Sequence, residues 1–283
     1  MLKDKTLWLD SFRTKSSSAQ VLAVCSGKGG VGKTSISLKL AKIYAESSKR
    51  VLLVDCDFNL SNTAIKLGLT LNDNFLKVIK NPAKLSEYVE RYQGFDLLPG
   101  CNGDVEVLES RHLITRSVVD ILGMYSNYYD LIILDAPAGA SKEALNLVTL
   151  ADYRIFVITP EPSSITDAYS LFKLSTEHYG CSNNLMIINR YQEEKQWQKV
   201  KTVMLDTTKK FAKDSFVHLG AIPELQVPHG NFDKYFMDSA DTAISEAFTK
   251  IKNNLNEMIL SERLVDLKEK LLQEEHKFTS LID

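Results

Sequence analysis

Eight consecutive residues carry the clearest chemistry in this chain: Gly27-Lys28-Gly29-Gly30-Val31-Gly32-Lys33-Thr34. They satisfy the pattern G-x-x-x-x-G-K-[ST]. Glycines let the backbone turn tightly and aim successive N–H groups inward, which suits a chain of phosphates. A helix that starts here adds the positive end of its dipole. In that pattern Lys33 reaches the β- and γ-phosphates and the Thr34 hydroxyl ligates Mg²⁺. Gly29, Gly30, Val31 and Ser35 line the rest of the cradle.

Acidic residues follow at two strand-like ends. Leu131-Ile132-Ile133-Leu134-Asp135 is an apolar run closed by a carboxylate. A parallel sheet gathers its ligands at the carboxyl ends of its strands, so Asp135 is expected beside the phosphates, supporting Mg²⁺. Val51-Leu52-Leu53-Val54 runs into Asp55-Cys56-Asp57. Alternate residues of an extended chain share a face, so Asp55 and Asp57 could both face the nucleotide. The plainer role for such acids is to cap the next helix.

The elements that hold these residues are legible as a pattern. Apolar runs at 21–24, 51–54, 95–98, 131–134, 155–158, 185–188 and 216–219 are mostly continuous, as strands buried on both faces require. Helical segments separate most of them. The expectation is an α/β fold: one doubly wound, mostly parallel, seven-stranded sheet with helices on both faces. The loop lies between a strand and a helix, the context that confirms it. Residues 1–19 are set apart as a flexible or partner-binding segment, 20–259 form the domain, and 260–283 form a C-terminal amphipathic helix.

Composition narrows the function. The 283 residues are 44% hydrophobic and 25% charged, with a formal net charge of −2, which excludes a disordered chain and argues against a basic nucleic-acid coat. The four cysteines, at 25, 56, 101 and 181, form no C-x-x-C pair, so a zinc ribbon or thioredoxin-type site is not supported. The start carries no secretory pattern and no apolar run is long enough to span a bilayer, so the expected location is the cytoplasm.

Lys28 is not demanded by the generic loop. Together with Lys33 it makes K-G-G-V-G-K-T, which resembles the deviant phosphate loop of the MinD/ParA family of ATPases. Residues 51–57 and 129–139 are similar to that family's next two motifs. The stretch Thr159-Pro160-Glu161-Pro162-Ser163-Ser164 is similar to the family's flagellar branch, that of FlhG (FleN). The resemblance implies ATP and Mg²⁺ as cofactors, ATP hydrolysis, and a homodimer that sandwiches two ATP molecules. It further implies that Lys28 crosses to the partner's nucleotide and Asp57 orients the attacking water. Asp55 and Asp135 would support Mg²⁺ through water, and Asn189 would read the adenine edge. The alternative for Asn189 is a turn residue at a strand end.

The implied role is a switch regulating flagellar number or placement, with a flagellar GTPase (FlhF-like), the basal body or a transcription factor as partner. Where the branch commonly carries Asp-Gln-Ala to engage that GTPase, Asp10-Ser11-Phe12-Arg13 stands instead. Residues 58–62 lack the usual glycine-containing pattern. The alternative is partition or positioning of another cargo, which needs a basic surface for DNA. Metal transfer needs interface cysteines, for which Cys101 is the one candidate, and a tyrosine autokinase needs tyrosines that 260–283 lacks.

Leu260, Leu264, Leu267 and Leu271 make a helical stripe that continues towards Phe278 and Ile282. The segment has four Lys/Arg against six Asp/Glu, whereas surface-seeking helices are usually basic. Three readings stand open: peripheral contact with the inner face of the cell membrane, packing on the chain's own domain, or a seam with a partner.

Overall fold

Three strands set the centre of the molecule. Gln20–Cys25 (β1) lies between Leu131–Asp135 (β5) and Tyr153–Ile158 (β6), parallel to both. All five residues of β5 and all six of β6 are buried, which explains the apolar runs 131–134 and 155–158 within them. The computed structural model describes residues 19–57, 63–70, 72–100, 111–225, 232–238 and 241–279, side chains excepted at 64–65, 111–113, 232–234 and 263–279. The expectations for residues 1–18 and 58–62, for Cys101 and for the side chains of the stripe beyond Glu262 lie outside the described residues.

The remaining strands are Val51–Asp55 (β2), Glu90–Tyr92 (β3), Phe95–Leu98 (β4), Asn184–Tyr191 (β7) and Val217–Pro223 (β8). Among the described residues they complete an eight-stranded sheet of order β3-β4-β2-β5-β1-β6-β7-β8. The chain leaves β1 toward β2 on one side, while β5 leads to β6 on the other. The carboxyl end of β1 is therefore a topological switch point, where ligands of such sheets bind.

The sequence led us to expect seven strands, and the eighth is β3. It pairs antiparallel with β4 through a tight turn, with Gln93 at φ 44° and Gly94 at φ 94°. Two consecutive left-handed residues are the signature of a type I′ hairpin. The strand's three residues, Glu-Arg-Tyr, carry no apolar run and sit at the sheet edge, so periodicity passes over them.

Helices cover both faces. On one face Lys33–Ala45 (α1) packs on Leu22, Val24 and Leu53. On the other, Asn74–Lys80 and Arg111–Tyr125 (α3 and α5, after the short Thr63–Lys66, α2; Leu85–Tyr88 is α4) pack on Val21, Ala23, Leu52 and Val54. Successive residues of β1 thus serve opposite cores, as the period of a strand requires. Lys142–Thr149 (α6), Pro162–Tyr179 (α7) and Glu194–Phe211 (α8) surround a third cluster on Phe156, Phe172 and Phe216.

Phe232–Asp238 (α9) leads to the last helix, Thr242–Thr279 (α10), which is 38 residues long. The Asp241 carboxylate caps its start by accepting from the Ala243 and Ile244 amides. Ile244, Phe248, Ile251 and Leu255 enter the core beside α1. The helix passes residue 260 without a break. Leu260 is 60% exposed, and Glu262 accepts hydrogen bonds from Tyr153 Oη and, at 2.6 Å, from Asn183 Nδ2.

Candidate functional site

The loop between β1 and α1 is built around its glycines. Gly30 has φ 77° and Gly32 φ 98°, both in the left-handed region that favours glycine. Gly32 caps α1 with no side-chain hydrogen bond to the first turn. The first N–H groups of that helix therefore have no side-chain cap, and no acid occupies the first turn. A Cβ on Gly27 would overlap the Asp167 backbone of α7, so that glycine permits close packing of loop and helix. Ser26 Oγ donates to the Lys28 carbonyl at 2.7 Å, and the Ser26 carbonyl accepts from the Gly139 amide at 2.9 Å. The segment after β5 is thereby pinned to the phosphate loop.

The two strand-end acids meet. Asp55 and Asp135 occupy paired positions on adjacent parallel strands, and they are 1% and 2% exposed. Asp135 accepts from Thr34 Oγ1 at 2.6 Å and from Ser37 Oγ at 3.0 Å. Asp55 accepts from the Asp57 amide at 2.9 Å and from Thr63 Oγ1. Burial, and then the charge of Asp55, push the Asp135 carboxyl up to about 7, against the pull of Lys33 and the two hydroxyls. A pair of buried carboxylates beside a threonine hydroxyl is a set of hard oxygen donors, which fits Mg²⁺ with its remaining positions left to water and phosphate. The uncapped helix start, the left-handed glycines and Lys33 fit a triphosphate in the same way.

Lys28 is turned toward the start of α7. Its Nζ lies 2.5 Å from Glu161 Oε2 and donates to Ser163 Oγ at 2.9 Å. The Lys28 ammonium holds the exposed Glu161 carboxyl below its usual range. Asn189, at the carboxyl end of β7, donates from Nδ2 to the Val31 carbonyl at 2.7 Å. Ser35 Oγ accepts from Lys66 Nζ at 3.1 Å. Asp57 is half-buried just beyond β2. Burial raises the Cys25 thiol at the end of β1 to about 12, which makes it an inert packing group.

Residue patterns did not single out Ser37, Thr63, Lys66, Glu161 or Ser163 as site residues. Ser37 carried a signal, since it lies three residues after Thr34 and so on the same helical face. Thr63 and Lys66 carried none, because they reach the site through tertiary folding alone.

A glycine loop at the switch point of a parallel sheet, with carboxylates on the neighbouring strands, defines a phosphate-loop nucleotide-binding protein of the doubly wound α/β class. The chain belongs to the AAA domain family, whose profile matches residues 19–186, and its relatives are MinD/ParA ATPases. It is 28% identical over 237 residues to the antiactivator FleN of Pseudomonas aeruginosa, covering 83% of this chain and 82% of that protein. It is 34% identical over 171 residues to the flagellum site-determining protein YlxH of Helicobacter pylori, covering 59% of this chain and 58% of that one. The fold matches the MinC:MinD cell division complex of Aquifex aeolicus with a TM-score of 0.64 at 28% identity, over 84% of this chain and 95% of that chain. It matches the septum site-determining protein MinD of Pyrococcus horikoshii, solved with Mg-ADP, with a TM-score of 0.70 at 23% identity, over 85% and 97%. Among the described residues, no helix is long and apolar enough to cross a membrane.

Proposed function

We propose that this chain is an ATP-dependent dimerising switch that regulates flagellar number or placement. The observation that carries the reading is the position of Lys28. It belongs to the phosphate loop by sequence, yet its ammonium is held by Glu161 and Ser163 at the start of α7 and is partly exposed, so a second chain's nucleotide can reach it. The flagellar assignment draws on the names of FleN and YlxH.

In this reading the amides at the start of α1 and the Lys33 ammonium hold the triphosphate. Thr34 donates its proton to Asp135 and so keeps oxygen lone pairs for a cation. Mg²⁺, when bound, neutralises charge on the phosphates. Asp55 and Asp135 hold the cation's water shell, and Asp57 orients the attacking water. Lys28 of each chain enters the other's site, as an arginine finger does, and stabilises charge that develops during transfer. ATP favours the dimer because these contacts exist only there, and hydrolysis removes them. The dimer surfaces engage a flagellar partner, and the part of α10 beyond Glu262 supplies peripheral membrane or partner contact.

The test is light scattering with Mg-ATP. Wild type should dimerise and turn ATP over, and Asp57→Ala should stay dimeric without turnover. Lys28→Ala should bind ATP yet remain monomeric. A Lys28→Ala variant that dimerises and hydrolyses normally would overturn the cross-subunit role.

A further inference from the structure

In a trans peptide the carbonyl and the N–H of one unit point in opposite directions. The Val31 carbonyl and the Gly32 N–H form such a unit, in the middle of the phosphate loop. Glycine tolerates both signs of φ, so at Gly32 the backbone by itself does not choose which way this unit faces. A flipped unit would aim a carbonyl, rather than a donor, at a phosphate.

Asn189 makes the choice. Its side chain is 5% exposed, comes from the neighbouring region of the sheet, and donates from Nδ2 to the Val31 carbonyl at 2.7 Å. The same nitrogen occupies the place that a Cβ on residue 32 would need. With the carbonyl bonded to Asn189 on β7, the Gly32 N–H faces the opposite side. A buried hydrogen bond of this kind holds firmly because flipping the unit would leave both partners unsatisfied.

We propose that Asn189 is a positioning residue of the phosphate cradle, locking the Val31–Gly32 peptide so that the Gly32 amide faces the polyphosphate, whatever base the nucleotide carries. The proposal rests on the reading that this loop binds ATP, and it assigns Asn189 a task separate from contact with adenine.

The two tasks separate when the base is removed. Calorimetry on the full chain would compare Mg-ATP with Mg-tripolyphosphate, which has phosphates but no base, for wild type, Asn189→Ala and Asn189→Asp. Loss of the lock should weaken both ligands by the same factor, about ten-fold. Asn189→Asp keeps the shape of the side chain, so it guards against loss of folding. Its carboxylate repels the Val31 carbonyl, but its protonated form donates again, and burial raises the pH at which it protonates. Its tripolyphosphate deficit relative to wild type should therefore narrow between pH 8 and pH 5, a recovery that a mere packing role would not give. Weakened ATP binding with unchanged tripolyphosphate binding would assign Asn189 to the base and overturn the lock. Unchanged binding of both ligands would show that the loop holds itself. A wild type that binds neither ligand would remove the ATP reading, and this inference with it.

Discussion

Lys28 and Glu161 are joined across the surface of a single chain, Nζ to Oε2 at 2.5 Å, with Ser163 Oγ on the same ammonium. The lysine side chain is 37% exposed and the glutamate 59%, so water and salt compete for both. The pair holds Lys28 at home, and a lysine that serves a second subunit must leave it. Glu161→Gln should therefore lower the protein concentration needed for Mg-ATP-dependent dimers by a modest factor, roughly two- to five-fold, since exposed pairs contribute little. Added salt should shrink the difference. Sedimentation at several concentrations reads it, and a variant that dimerises less readily would mean that Glu161 works in the dimer instead.

Asp55 and Asp135 lie side by side with almost no access to water, and each accepts hydrogen bonds from hydroxyls. Two adjacent buried carboxylates disfavour double ionisation. In nucleotide-free protein Asp135→Asn should raise the thermal midpoint at neutral pH by ~2–6 °C, because it removes one buried charge. The same variant should lose most of the stabilisation that Mg-ATP gives wild type, and EDTA should take that gain from wild type. Thermal unfolding with and without Mg-ATP checks both halves. An Asn variant stabilised as fully as wild type would remove Asp135 from the cation site.

The phosphate site was legible because its residues are contiguous or end apolar runs. Gly27 to Thr34 form one word, and Asp55 and Asp135 each terminate a buried strand, so burial alone announces them. Glu161 lies within the stretch 159–164, but only the fold brings it to Lys28, across more than a hundred residues of chain. The family resemblance points Asn189 to the adenine edge, but its bond to Val31 depends on β7 lying two places from β1 in the sheet, which no residue pattern carries. The boundary read at residue 259 sets the stripe of 260–283 apart from the helical residues before it. One helix carries both, because no glycine or proline interrupts 242–279.

Glu262 anchors that helix beyond the expected boundary, at the end of the strands opposite the phosphate loop. Tyr153, 2% exposed, donates to it, and so does Asn183. Glu262→Ala would remove an acceptor that Tyr153 and Asn183 both use, at a cost of about 1–3 kcal/mol. The thermal midpoint should fall by ~2–8 °C, whereas truncation after Glu262 should spare it. Equal losses in both variants would mean that the distal helix, rather than this anchor, stabilises the domain. Vesicle flotation of the truncated chain then tests membrane contact on an intact fold.

His218 supplies a pH test far from the phosphate loop. It stacks on Trp197 with ring centroids 5.4 Å apart and planes 6° apart, and its buried Nε2 has no hydrogen-bond partner among the described residues. Burial, with the charges of Lys201 and Lys250, pushes its pKa down to about 4. The unfolded chain protonates this imidazole near its ordinary value of about 6.5, before the folded chain does. Stability from this group is therefore complete at pH 8 and is lost as the pH falls from about 6.5 toward 4. At pH 5 the loss should be about 1–2 kcal/mol, after allowance for the ring's partial exposure. His218→Phe keeps the stack and cannot protonate, so its stability advantage over wild type should grow by that amount between pH 8 and pH 5. Denaturant unfolding at both values measures it. An advantage that stays the same at the two pH values would mean that the folded protein protonates His218 as readily as the unfolded chain does.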